Sequence, residues 1–152
     1  WHLQGGAEVQ KIHQGTASHA KALSLAGGLT HLDAHTARLD LTIAARVTLS
    51  PSPSFANRYL GLTGRYRLAR QSNGIKWAVL GSFGLRHYDI SPYGPQPRLD
   101  RTVSLGGEAI FPSAAVFGLS PVARLECVQT TSSVQLYDRR GLTMRFGWRS
   151  DF

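Results

Sequence analysis

The sequence predicts an all-β protein: an antiparallel up-and-down transmembrane β-barrel with eight strands in this chain. Three observations carry that prediction. Apolar and polar residues alternate with a period of two along almost the whole chain, and helical periodicity is nearly absent. The connections alternate in character, longer at one end of the strands and shorter at the other. Aromatic side chains gather on the apolar face near the short-turn end, as expected where hydrocarbon meets water.

The elements follow in order. Residues 1–12 set Trp1, Leu3, Ala7 and Val9 against His2, Gln4, Glu8 and Gln10. Residues 21–32 set Leu23, Leu25 and Leu29 against Ala22, Ser24, Ala26, Gly28 and Thr30. Residues 37–49 give the cleanest pattern, Ala37, Leu39, Leu41, Ile43, Ala45, Val47 and Leu49 on one face and Arg38, Asp40, Thr42, Ala44, Arg46 and Thr48 on the other. Such a run is long beside the usual five or six residues of a strand, and it suits a tilted strand crossing a bilayer, which needs about nine to eleven. Residues 58–69 set Leu60, Leu62, Tyr66 and Leu68 opposite Thr63, Arg65 and Arg67. Residues 75–88 set Ile75, Trp77, Val79, Phe83 and Leu85 opposite Lys76, Ser82, Gly84 and Arg86. Residues 101–111 offer Val103, Leu105, Ala109 and Phe111 against Thr102, Ser104 and Glu108, and residues 121–131 offer Ala123, Leu125 and Cys127 against Arg124 and Glu126. The closing segment carries Leu142, Met144, Phe146, Trp148 and Phe152 on one face and Arg145, Arg149 and Asp151 on the other.

Connections 15–19, 50–57, 90–100 and 129–140 occupy the longer end, and 33–36, 71–74 and 112–118 the shorter. Asn73-Gly74 is the strongest tight-hairpin signal. An even strand count puts both termini at the short-turn end, the periplasmic side of a bacterial outer-membrane barrel. The expected aromatic girdle there is Trp1, Tyr66, Trp77, Phe111, Trp148 and Phe152.

Composition narrows the function classes. At 152 residues the chain fits a single domain, 1–152. No apolar run reaches the roughly 18 residues of a spanning helix, which says nothing against a barrel. The net charge of +8 is spread along strands rather than clustered, and no zinc-finger or RNP-like spacing accompanies it, so no nucleic-acid partner is expected. One cysteine, Cys127, allows no internal disulfide and reads as a small hydrophobe. A start at Trp1, without initiator Met or signal peptide, points to a processed chain or to the C-terminal portion of a longer precursor.

The polar faces hold the candidate functional residues. The expected lumen-facing charges are Arg38, Asp40, Arg46, Arg65, Arg67, Lys76, Arg86, Glu108, Arg124, Glu126, Arg145 and Arg149, with Glu8 and Asp151. Sequestered charges must be paired, so an eight-stranded barrel would carry them as a ladder of ion pairs. A wider barrel would make the same residues a cationic pore favouring anions. His31, Asp33 and His35 fall at a strand end and turn, without helical ligand spacing, and no metal or cofactor is expected. Ser132, His87 and Asp89 lack the local context of a nucleophile, so no catalytic site and no enzyme is expected. Loop 90–100, with Tyr93, is the best candidate external contact surface.

The last strand, alternating and ending in an aromatic, resembles the signal by which the barrel-assembly machinery recognises outer-membrane proteins; Leu142, Met144, Phe146, Trp148 and Phe152 carry it. More narrowly, Pro121, the stretch Ser132-Ser133-Val134-Gln135-Leu136-Tyr137-Asp138 and the closing strand resemble the ends of the surface lipoprotein assembly modifier (Slam) family. Arg98-Leu99-Asp100-Arg101 looks like the basic-Asp pattern of that family, whereas Ser133 stands where its members usually show Asn. Those proteins join a periplasmic tetratricopeptide domain to a C-terminal barrel of more strands than this chain holds. The resemblance implies a protein-transport role, translocating or assembling surface lipoproteins or other clients. It also implies partners: outer-membrane lipid and lipopolysaccharide, the assembly machinery, and a client lipoprotein. The alternative is a small structural or loop-binding outer-membrane barrel, or a subunit of a membrane complex, without transport.

Overall fold

The computed structural model describes residues 2–14, 18–32, 37–51, 54–68, 74–91, 94 and 96–150, and for 10–14 and 18–20 it describes the backbone. The strands are β1 (His2–Gln14), β2 (Ser18–Leu32), β3 (Arg38–Leu49), β4 (Asn57–Arg67), β5 (Lys76–Tyr88), β6 (Arg98–Ile110), β7 (Leu119–Ser132) and β8 (Arg139–Ser150). Two short 3-10 turns, Pro112–Ala114 and Gln135–Tyr137, are the only helical pieces among the described residues. Each strand pairs antiparallel with its chain neighbour, and the eight form one sheet in the order β1 to β8. A barrel needs one more pairing, β8 with β1, and the sheet instead ends in two open edges among the described residues. The physical reason lies in what alternation encodes: it specifies faces and neighbour pairing, and an open sheet satisfies both as well as a closed one does.

The sheet is nonetheless strongly curled. Adjacent strands lie about 4.8 Å apart, so a flat sheet would hold β3 and β8 about 24 Å from one another. Arg38 of β3 and Arg149 of β8 instead line one cavity, together with Leu32 of β2, Arg67 of β4 and Lys76 of β5. Glu108 of β6 takes an arginine from each side, Arg65 of β4 and Arg149 of β8. Side chains two strands apart meet in this way on the inside of a bend.

The two faces divide as the alternation predicts. Leu23, Leu25, Ile43, Leu60, Leu62, Val79, Phe83, Val103, Leu105, Leu125, Met144 and Phe146 stand exposed on the outer face. Cys127 is exposed there too. The buried apolar residues are few and mostly small, Ala22, Ala37, Ala78, Leu80, Ala109 and Ile110, and no large side chain is fully buried among the described residues. The greasy face of the sheet thus has no second layer over it.

Three details depart from the sequence expectation. β6 begins at Arg98 rather than 101, so the long connection after β5 is shorter than predicted. β7 runs to Ser132 and β8 starts at Arg139, reducing the predicted 129–140 connection to 133–138. The 112–118 connection folds as a 3-10 turn followed by a two-residue hairpin. In that hairpin Val116 and Leu119 exchange backbone hydrogen bonds of 3.0 Å each way. Phe117 (φ 53°) and Gly118 (φ 77°) both adopt positive φ, as a type I′ turn requires. The predicted Asn73-Gly74 turn lies partly outside the described residues; Gly74 has φ 72°.

One glycine is fixed by close approach. A Cβ on Gly106 would lie 2.6 Å from the Leu125 carbonyl oxygen and 3.2 Å from Glu126 Cα, backbone atoms of the paired strand that cannot swing aside. Gly106→Ala is therefore expected to destabilise the sheet by about 1–3 kcal/mol, read as a lower urea midpoint with an unchanged slope.

Candidate functional site: the charged inner face

At the short-turn end, β3 and β4 run side by side with Arg38 opposite Arg67 and Asp40 opposite Arg65. Inward positions recur every second residue, so Arg38, Asp40, Arg65 and Arg67 share one face by alternation. Asp40 Oδ1 accepts from Arg38 Nε at 2.7 Å and from the Thr30 hydroxyl at 2.8 Å. Its second oxygen lies 3.6 Å from Arg67. Glu108, whose side chain is only 8% exposed, accepts from Arg65, and Arg149 approaches it at 3.6 Å. Arg38, Arg65, Arg67, Arg149 and Lys76 border a cavity of about 460 Å³.

The middle of the face carries hydroxyl pairs and an ion pair. Ser82 and Ser104 hydroxyls meet at 2.7 Å and those of Thr102 and Thr130 at 3.0 Å, across neighbouring strands. Arg124 donates to Glu126 at 2.9 Å.

The long-loop end is tied shut by a different arrangement. Arg98 is buried, with its guanidinium stacked 3.8 Å from the Tyr88 ring centroid and 3.7 Å from that of Tyr137. Its Nε lies 3.2 Å from Asp100, which also accepts from the Ser132 hydroxyl at 2.6 Å. The Ser132 backbone N–H donates to Asp138 at 2.6 Å, and Leu99 and Ser133 exchange hydrogen bonds of 2.9 and 3.0 Å. These contacts pin residues 133–138 onto the start of β6 and explain why that connection is short. Beside them the Tyr59 ring lies over Gly61 and Gly84, a directly opposed pair on β4 and β5; a Cβ on Gly61 would collide with that ring. Arg86 sits 5.3 Å from the Tyr59 ring centroid. A cavity of about 190 Å³ remains there, bordered by Tyr59, Arg86, Asp100 and Arg139.

The remaining sequence candidates fall as follows. Arg46 and Arg145 hold inward positions of β3 and β8 by alternation with their outward neighbours. Tyr66, Trp77 and Trp148 are exposed on the outer face toward the short-turn end, and half-exposed Phe111 stands just past the end of β6. Leu142, Met144, Phe146 and Trp148 form the outward row of β8, exposed along its length. Trp1, Tyr93, Asp151 and Phe152 lie outside the described residues, as do Asp33 and His35 of the His31 cluster. The structure does not assemble Ser132, His87 and Asp89: Ser132 bonds Asp100 on the inner face, whereas His87 lies 3.6 Å from Asp89 on the outer side.

Sequence reasoning missed the Tyr59 seat and the Arg98 stack. The available signals were Tyr59 at inward parity two residues before Gly61, and Arg98 two residues before Asp100. Comparison of the chain with protein-family models, curated proteins and solved structures gives no match in any of the three. The functional reading therefore rests on the two faces themselves.

Proposed function

We propose that this chain forms the wall of an outer-membrane β-barrel, with both termini periplasmic and a Slam-like role in carrying surface lipoproteins or other clients to the far side. The observation that supports the membrane reading is the uncovered outer face, apolar on strand after strand. Apolar surface left in water forgoes about 25 cal/mol per Å², whereas in hydrocarbon it forgoes nothing. That reading requires the two open edges to be closed. In lipid each unpaired backbone group costs several kcal/mol, so β1 and β8 must find partners there. Matching inward to inward residues leaves several registers open to an antiparallel overlap of His2–Gln14 with Arg139–Ser150, one of which places Glu8 opposite Arg145.

A second reading, a small structural or loop-binding barrel without transport, is favoured by the filled inner face. Tyr59, the Arg98 stack and the ion pairs occupy the inner side of the bend, where a passing polypeptide would have to go.

Two measurements separate the readings. A chain that stays folded and monodisperse in buffer without detergent would overturn the membrane reading; insertion into vesicles with heat-modifiable gel migration is expected. Protease accessibility of lipoproteins on intact cells, with and without the chain, then tests transport. Loss of surface display on deletion supports the Slam-like role, and unchanged display of every lipoprotein, with insertion intact, supports the structural one.

A further inference from the structure

We infer that the outer face holds a phosphate-bearing lipid at the long-loop end, through a belt of cations centred on Arg101 and Arg140. The inference rests on the membrane reading and adds the lipid chemistry that the wall recognises. Lys21 of β2, Arg58 of β4, Arg101 of β6 and Arg140 of β8 are all exposed. Each stands two residues from an exposed apolar neighbour, Leu23, Leu60, Val103 and Leu142 in turn, so alternation points all four outward. They also fall on one line. Lys21 pairs with Leu49, and Arg58 with Val47, two residues nearer the short-turn end. The same step separates the partners of Arg58 and Arg101 on β5, His87 and Leu85. It recurs on β7, where Arg101 meets Thr131 and Arg140 meets Gln129. Barrel strands are tilted and staggered by a fixed shear, so a constant step from strand to strand marks a constant depth. Exposed aromatics keep the same line: Tyr66 follows Arg58 by eight residues on β4, and Trp148 follows Arg140 by eight on β8. Eight residues span about 27 Å of strand, and tilt reduces that to about 20 Å of height, comparable with the apolar band of about 25 Å in such barrels.

Positive charge is left over on this line. Among the described residues, Lys21, Arg101 and Arg140 have no carboxylate within ion-pair distance. The described carboxylates on that side are engaged, Asp89 by Arg58 at 3.8 Å and His87 at 3.6 Å, and Asp138 by the Ser132 backbone N–H. A cation at the edge of an apolar band can serve merely by snorkelling to water. That need is equal at both edges, yet at the short-turn edge the described outward residues include Tyr66, Trp77 and Trp148 and no lysine or arginine. A second observation is one of shape. A groove of about 510 Å³ on the outer face is bordered by Val103, Leu105, Cys127 and Leu142, with Gln129 and Arg140 at its long-loop end. Such a volume lies in the range of small-ligand clefts, roughly 300–1,000 Å³. Apolar along its length and cationic at its end, the groove fits an acyl chain beneath a phosphoryl group. Arg101 stands two residues beyond Val103, toward the same end. Each guanidinium offers a planar fork to two phosphoryl oxygens. The occupant is therefore a phosphorylated lipid of the leaflet on the long-loop side, which in the proposed outer membrane is lipopolysaccharide.

The test uses the full chain folded in dodecyl maltoside micelles and titrated with lipid A, a phosphorylated and acylated glycolipid, by native mass spectrometry. Phosphatidylcholine, whose phosphate is balanced by its own choline, is the reference. Saturable binding of lipid A in preference to phosphatidylcholine is expected. A cation beside an anionic lipid surface contributes about fivefold in affinity, the equivalent of about 1 kcal/mol. Arg101→Gln combined with Arg140→Gln should therefore weaken lipid A binding by roughly 25-fold. Arg101→Lys combined with Arg140→Lys keeps both charges and should stay within about fivefold of the parent. Arg140→Gln alone, expected at about fivefold, decides the matter should the double variant fail to fold. Insertion into phosphatidylcholine vesicles, read by heat-modifiable migration, is followed for each chain in parallel. Chains that insert yet bind lipid A no better than phosphatidylcholine overturn the inference and leave the membrane reading standing. Equal lipid A binding by the parent and the double glutamine variant does the same. Failure of the parent chain to insert overturns both.

Discussion

Leu105→Arg is expected to cost about 2–4 kcal/mol of folding stability in lipid vesicles, enough to reduce insertion visibly. Leu105 sits mid-strand on β6, opposite Gly81 and Cys127, and is 65% exposed. In a water-soluble protein an arginine at so open a position would change stability by less than about 0.5 kcal/mol. Facing the bilayer midplane, the same guanidinium must thin the membrane or snorkel to reach water, and costs several-fold more. The effect should also depend on depth. Trp148→Arg, near the short-turn end, is expected to cost only about 0–1 kcal/mol, because interfacial sites tolerate cations. Urea titration of vesicle-inserted protein, read by gel mobility after mild heating, measures both. Equal and negligible costs at the two sites would place the outer face in water.

Glu108→Ala is expected to be the most damaging single change on the inner face, at about 3–5 kcal/mol. Its carboxylate accepts from Arg65 and lies near Arg149, and its removal leaves the part-buried Arg65 guanidinium without its counter-charge. The loss measures the abandoned charges rather than the worth of the pair. Neutralising the partners together with Glu108, as in Glu108→Leu with Arg65→Met and Arg149→Met, should therefore recover much of it. Urea midpoints of the single and triple variants decide the matter. A triple variant no better than Glu108→Ala would show that the ion pairs stabilise in their own right.

Most of this architecture was legible in the order of residues. A one-residue slip flips every side chain to the other face, so a sustained alternation such as 37–49 specifies a strand, its inward set and its pairing parity together. For that reason Arg38, Asp40, Arg65, Arg67 and Glu108 could be assigned to one face from parity alone. Strand ends were less legible. Arg98, Leu99 and Asp100 follow a Pro-rich loop and look like its continuation. What makes them strand is distant, namely the stack on Tyr88 and Tyr137 and the hydrogen bonds from Ser132 and Ser133. The Tyr59 seat needs the knowledge that Gly61 and Gly84 stand directly opposite one another, which is a matter of register between strands. Closure lay beyond reach for a different reason: no residue pattern within either strand distinguishes an edge that meets its own chain from one that meets another.

The strictly sequential order of the sheet has a kinetic consequence. Each of its pairings joins strands adjacent in the chain, so the loops to be closed are short and their entropic cost is low. Hairpins can add one after another with no long search. In the proposed barrel, the joining of β1 to β8 would alone bring together opposite ends of the polypeptide, and it would repay its loop entropy last. If the sheet closes as proposed, inserting chains should pass through a state in which the curled sheet exists and the seam does not. Substitutions along β8, by disturbing that final contact, should leave early strand formation unchanged and slow the last phase.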